Sequence, residues 1–245
     1  MKIDALNKTF AQLNEDIRAA QKKTDLIEIQ NAAGQRYIGI GMSEGKVIHI
    51  YGTPGNDLAA YNCGAEIEIF GNAQDQVANT MDGGKIIIHG RIGDAAGYAM
   101  RDGQIYVKDE CGYRCGIHMK EYQSKSPLIV IGGGAGNFLG EYMAGGTIVL
   151  LGIGCDRSKG AMGYYCATGI HGGRMYVRGT VPADKISHEA KVVPCDDEDM
   201  KKIAEYVRNY CTYFKADYEK IMSEEPFVKI VPASARPYKA IYAAN

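Results

Sequence analysis

The feature that most constrains this chain is a period. Set in register, the segments IHIYG at 48–52, IEIFG at 67–71, IIIHG at 86–90 and IYVKD at 105–109 each begin 19 residues after the one before. The series continues with LIVIG at 128–132, IVLLG at 148–152 and MYVRG at 175–179, so the later repeats carry insertions. Self-similarity at a fixed spacing marks a solenoid or a propeller, and insertions into a solenoid map to loops on its outside. A spacing of 19 residues falls short of the roughly 30 of a β-α-β unit and the roughly 40 of a propeller blade, and a leucine-rich signature is absent. What fits is a coil of two or three short strands per turn, each strand pairing with its copy one turn on at about 4.8 Å.

The first and third positions of every run are apolar. Ile48, Ile67, Ile86, Ile105, Leu128, Ile148 and Met175 are expected to form one inward ladder, and Ile50, Ile69, Ile88, Val107, Val130, Leu150 and Val177 a second. Glycine pairs in MDGGK at 81–85, MAGGT at 143–147 and IHGGR at 170–174 supply the positive φ that corners demand. Glycine is accordingly plentiful, 31 residues against 7 prolines, and the 46% apolar content is enough for a continuous core without a metal or disulfide staple.

A solenoid leaves two sheet ends open. Residues 4–23, with Leu6, Phe10, Leu13, Ile17 and Ala20 at helical spacing, and residues 196–222, opening on DDEDM and carrying Ile203, Val207, Tyr210, Cys211 and Phe214, read as amphipathic helices suited to cover those ends or to touch a partner. The expected fold is all-β: a single-stranded right-handed parallel β-helix of about seven turns with helical segments at both termini. Its parts are a helical cap at 1–26, the coil at 27–180, and a C-terminal helix with an extended tail at 181–245.

With 28 basic against 29 acidic residues, nothing pulls the chain toward nucleic acid, anionic membrane or acidic substrate, so proteins or small molecules are the expected partners. No apolar run approaches the ~20 residues of a membrane span and Met1–Ala11 lacks a signal region, which predicts a cytoplasmic protein. The odd set Cys63, Cys111, Cys115, Cys155, Cys166, Cys195 and Cys211 fits reduced thiols.

Candidate chemistry is sparse. GGGAG at 132–136 follows a strand but lacks the lysine and Ser/Thr of a phosphate-binding loop, and GIGCDRSKG at 152–160 fails likewise, so both read as turns. Cys111, Cys115 and His118 form the most ligand-like cluster; a zinc site there needs a fourth donor, from Cys155 or Cys166, while buried cysteine as a small apolar residue is the competing reading. His49 and His89 fall at outward strand positions and His171 in a glycine corner, with no recognisable triad. A carbohydrate-cleaving site around Arg91, Asp94, Arg101 and Asp102 lacks any tryptophan platform, and Asp94 and Asp102 suit turns. Tyr164, Tyr165, Tyr210 and Tyr213 are candidate interface anchors.

The β-branched runs closed by glycine, together with the loops GNAQDQVANTMDGGK, GRIGDAAGYAMRDGQ and GGGAGNFLGEYMAGGT, resemble the GXGXG-repeat domain that closes the large subunit of glutamate synthase. The resemblance covers roughly residues 25–245 and extends to FVKIVP at 227–232 and Tyr238-Lys239. It implies a right-handed β-helix with no catalytic, cofactor-binding or metal residue of its own, supplied as a separate structural subunit of a split glutamate synthase. Its partners would be the glutamine amidotransferase subunit and the synthase subunit that carries FMN and an iron-sulfur cluster. The chain starts Met1-Lys2, without the N-terminal cysteine nucleophile of an amidotransferase, and neither catalytic portion is present. The same repeat family includes a subunit of formylmethanofuran dehydrogenase, which gives an alternative assembly; a stand-alone metal enzyme using Cys111, Cys115 and His118 is a third reading, and self-association is open.

Overall fold

Alternating β-branched residues do build one wall of a parallel coil. In the computed structural model, which describes residues 1–234, strands β2 (Leu26–Ala33), β3 (Val47–Thr53), β4 (Cys63–Phe70), β5 (Asp82–Ile88), β6 (Asp102–Val107), β7 (Leu128–Ile131), β8 (Ala144–Leu150) and β9 (Gly172–Arg178) stack in chain order, each parallel to the next. Ile48, Ile67, Ile86 and Ile105 pair in register, as do Ile50, Ile69, Ile88 and Val107, and all eight are fully buried. Each such isoleucine removed from water contributes about 2 kcal/mol, so the ladder is the main driving force for the coil.

The fifth run is shifted by one residue from its expected register. Ile129 pairs with Ile105 and Ile131 with Val107, so these two face the core, while Leu128 and Val130 face outward. Two causes combine. The insertion before β7, closed by a bridge between Tyr122 and Lys125, alters the interval, and both faces of the sheet are buried at LIVI, which removes the polar alternation that fixes register.

Opposite the strands runs a wall of different backbone. Left-handed residues recur there at every second position, as in Asp57, Ala59 and Tyr61, then Gln76, Ala78 and Thr80, then Ala95, Gly97 and Ala99. Their N–H groups bond alternately to the turn ahead and the turn behind, as Gln76 N to Asp94 O at 2.8 Å and Ala78 N to Leu58 O at 2.8 Å. The central member of each triad points across the core: a methyl added at Gly97, φ +69°, would come 2.6 Å from Ile129 Cδ1. A third side is marked by single parallel bridges joining Ala73, Ile92, Cys111, Ala135 and Met162. At the corner beside it, side-chain oxygens replace backbone carbonyls: Asp75 accepts from Asp94 N at 2.9 Å, and Asp94 from Tyr113 N at 2.8 Å.

The ends differ from the sequence-based expectation. Strand β1 (Lys2–Asp4) pairs parallel with β2 and occupies the start of the segment expected to be helical, so helix α1 covers only Phe10–Ala20. Thr9 and Gln12 form a capping box that starts the helix. Leu13, Ile17 and Ala20 close the open end of the core, while Leu6 and Phe10 are exposed.

The C-terminal segment is two helices, α2 (Asp197–Phe214) and α3 (Tyr218–Glu224), separated by left-handed Lys215. Helix α2 does not cap the coil end. It lies across the outside of the strand wall, with Ile203, Val207 and Tyr210 packed on Tyr106, Leu128, Val130, Val149 and Tyr176. The sheet is instead continued by β11 (Phe227–Pro232), antiparallel to β9, and β10 (Ala190–Pro194) at its edge. Tyr238-Lys239 and the rest of the tail lie outside the described residues. Among the described residues no helix is long and apolar enough to cross a membrane.

Candidate functional site

The outer face of the strand wall divides into two halves. One outward column reads Glu28, His49, Glu68, Ile87, Tyr106, Val130, Val149, Tyr176 along consecutive pairings. It turns from ionisable to apolar at Ile87, where α2 begins to cover it. Tyr210, at the far end of the α2 stripe, donates its hydroxyl to Lys108 O at 2.8 Å, and the glycine at 132 is required there because any Cβ would strike that hydroxyl and the Lys108 carbonyl. The GGGAG segment is thus a close-packing point.

On the open half, the outward alternation of β3 and β4 gathers an ionisable and aromatic cluster. Glu68 Oε1 lies 2.7 Å from His89 Nε2, and its Oε2 lies 3.7 Å from His49 Nε2. Phe70 stacks between Tyr51, at 4.8 Å, and His89, at 4.9 Å, and Phe214 at the end of α2 meets the His89 ring edge-on at 5.3 Å. Lys85 pairs with Glu66 at 3.3 Å and lies over the Tyr213 ring at 5.5 Å. A carboxylate shared by two imidazoles within an aromatic frame can hold a cationic group or pass a proton.

A cavity of about 370 Å³ lies between loop 152–157 and α3. Its charges neutralise each other: buried Arg178 donates to Ile221 O at 2.8 Å, Leu151 O at 3.3 Å and Glu224 at 2.8 Å, and Arg157 pairs with Glu225 at 2.6 Å. These contacts tie GIGCDRSKG to the helix, so the loop is a structural link.

The sequence-predicted metal candidates converge only in part: the Cys111 and Cys115 thiols are neighbours in the core, and His118 does not join them. Cys111 occupies the core column of Ala73, Ile92, Ala135 and Met162. Cys115 and Cys166 are buried where other turns carry Leu58, Val77 and Leu139, whose carbonyls accept the same inter-turn bond. His118 lies outside, stacked on Tyr142 at 5.2 Å. The neighbouring Cys115 and burial push the Cys111 thiol up, and burial pushes Cys166 up to about 12, as expected of thiols in an apolar core. Among the described residues, no group of three or more His, Cys, Asp or Glu side chains is placed to hold a metal ion.

Of the residues weighed for carbohydrate chemistry, Arg101 is exposed and the other three are held in structural contacts. Arg91 pairs with Glu110 at 3.7 Å, Asp94 bonds Tyr113 N, and Asp102 accepts from Ser126 N at 3.3 Å. Of the candidate interface tyrosines, Tyr210 is buried on the inner face of α2 and Tyr213 packs on Tyr106, whereas Tyr164 and Tyr165 are exposed. Sequence reasoning placed His49 and His89 outward but missed Glu68, for which half a signal was available: it stands 19 residues after His49 and pairs with it, whereas His89 stands 21 residues further on, beside Phe70.

Comparison with known proteins agrees with this architecture. The chain is 42% identical to the uncharacterized protein MJ1350 of Methanocaldococcus jannaschii, over 98% of this chain and 95% of that one. A chain in the crystal structure of the formyltransferase/hydrolase complex (FhcABCD) of Methylorubrum extorquens with methylofuran has a similar fold, with a TM-score of 0.64, 18% identity, and coverage of 95% of this chain and 96% of that one. The model of the GXGXG motif family matches residues 6–233, nearly the whole coil with its end helices, and the chain therefore belongs to the GXGXG motif family.

Proposed function

We propose that this chain is a non-catalytic structural subunit of a multi-subunit enzyme, a rigid coil on which catalytic subunits assemble. The observation that supports it is the near end-to-end likeness to a chain that works inside a four-part complex. The interior supports it as well, because Cys111, Cys115 and Cys166 fill core columns rather than a site. Of the possible assemblies, the comparisons favour one that handles formyl groups, in which this chain takes the place of the β-helical subunit of a formylmethanofuran dehydrogenase.

A second reading rests on a different observation. The repeat loops and the FVKIVP strand, β11, resemble the closing domain of the glutamate synthase large subunit. There the same coil would join a glutamine amidotransferase subunit to an FMN and iron-sulfur synthase subunit. Affinity purification of the tagged chain from its own cells separates the two. Formyl-transferring, formyl-hydrolysing, or molybdenum or tungsten subunits in the recovered complex are expected under the first reading. Glutaminase and flavin subunits, with glutamate formed from glutamine and 2-oxoglutarate, replace it with the second, and a chain that purifies alone sinks both.

A further inference from the structure

We infer that the open half of the outer strand wall, over β3 to β5, is the docking site for a basic amphipathic helix of a partner subunit, laid end-on to α2. This rests on the reading of the chain as a structural subunit and specifies which surface that subunit uses. Three observations carry it: continuity, charge and dimensions.

The surface continues one that already receives a helix. Helix α2 roofs the wall from Tyr176 on β9 to Tyr106 on β6 and ends at Phe214 against His89, just past β5. Beyond that point the wall keeps its strands and loses its roof, leaving Phe70 37% and Leu26 43% exposed. Phe70, Tyr51 and Phe214 frame the open edge with apolar surface contiguous with the packing under α2.

The charge of the surface selects a cation. Glu28 and Glu66 have lysine partners, Lys2 at 3.7 Å and Lys85 at 3.3 Å, whereas Glu68 is met by the two imidazoles of His49 and His89. An arginine or lysine set over Glu68 and flanked by the Tyr51 and Phe70 rings completes both an ion pair and a cation–π contact.

The dimensions suit one helix. Four strands, β2 to β5, span about 14 Å along the coil axis at ~4.8 Å per strand, which at ~1.5 Å per residue is room for about nine residues of a helix continuing the line of α2. The occupant is therefore a single helix bearing a basic residue among apolar ones.

Two full-length variants test this in the native assembly. With Phe70→p-benzoylphenylalanine in the tagged chain, irradiation in the chain's own cells should join position 70 to a helix-patterned, basic peptide of a partner subunit, whereas Tyr165→p-benzoylphenylalanine on the opposite wall should not reach that peptide. Glu68→Arg should lower partner recovery about tenfold or more, a loss typical of an interface hot spot, with the thermal midpoint of the isolated chain unchanged. Cross-links from position 70 to this chain's own peptides alone, a partner peptide without a basic residue, or undiminished recovery with Glu68→Arg would overturn the docking site while leaving the subunit reading intact. Wild-type chain recovered without any partner would overturn both.

Discussion

The strand wall and the left-handed wall face each other across one core and repeat together, yet they constrain sequence in opposite ways. On the strand wall the core positions are large and β-branched, Ile67, Ile86 and Ile105 among them, because an extended backbone projects each side chain far into the interior. On the left-handed wall the central position of each triad is alanine or glycine, as at Ala59, Ala78, Gly97 and Gly116. Those residues meet the tips of the opposing isoleucines, so the width of the coil is set by one large side chain plus one small one. Mass is carried by one wall and close approach by the other.

This comparison is broken most severely from the strand side. Ile67→Ala removes a fully buried side chain from a ladder that cannot collapse without dragging neighbouring turns, and is expected to lower unfolding free energy by about 3–4 kcal/mol in a urea titration. A loss below about 1 kcal/mol would mean that the two walls share the packing equally.

The roof over the strand wall yields the next effect. Burial raises the Asp199 carboxyl, but Lys229, the Asp196 backbone and the Tyr176 hydroxyl outweigh it and hold the group at about 2, below an ordinary 3.8. A depressed folded value gives stability that is complete above the unfolded value and is lost as the pH falls from about 4 through about 2. Asp199→Asn is expected to cost about 2 kcal/mol at neutral pH and to flatten that acid limb, read as the urea midpoint against pH.

Substitutions on the left-handed wall should be milder. Gly97→Ala brings a methyl against the mobile end of Ile129 in a conformation that Ala59 and Ala78 already adopt, so a loss of about 1 kcal/mol is expected. Ala78→Gly relieves left-handed strain but gives up a buried methyl and frees the unfolded chain; these offset to within about 0.5 kcal/mol, measurable as a nearly unmoved thermal midpoint.

The same contrast explains what was legible beforehand. The strand wall could be read because apolar alternation and a 19-residue spacing reach the residue level, and the ladders at Ile48 and Ile50 formed as expected. Register was lost at Leu128, where burial on both faces hides the alternation. The left-handed wall could not be read, since Asp57, Gln76, Arg114 and Phe138 adopt positive φ without the glycine that normally signals it. Inter-turn hydrogen bonds hold them there. The Glu68 cluster was half legible: His49 and His89 were placed outward, but a carboxylate between two histidines has no local motif and emerges only once the strands are paired. The helix expected at 4–23 shortened because Asp4 ends a strand paired with β2 and the capping box of Thr9 and Gln12 sets the start at Phe10, neither of which apolar periodicity encodes.

A coil whose turns touch only their neighbours is a one-dimensional array, free to fray from either end. Helix α2 changes that. Asn209 reaches the Tyr106 hydroxyl across 103 residues of sequence and Tyr210 reaches the Lys108 carbonyl across 102, while Asp199 at the other end of the helix holds Tyr176. One rod thus bolts several turns together, so they release as a unit rather than one by one. The half of the coil beyond the rod keeps the looser, turn-by-turn mechanics of an unclamped spring.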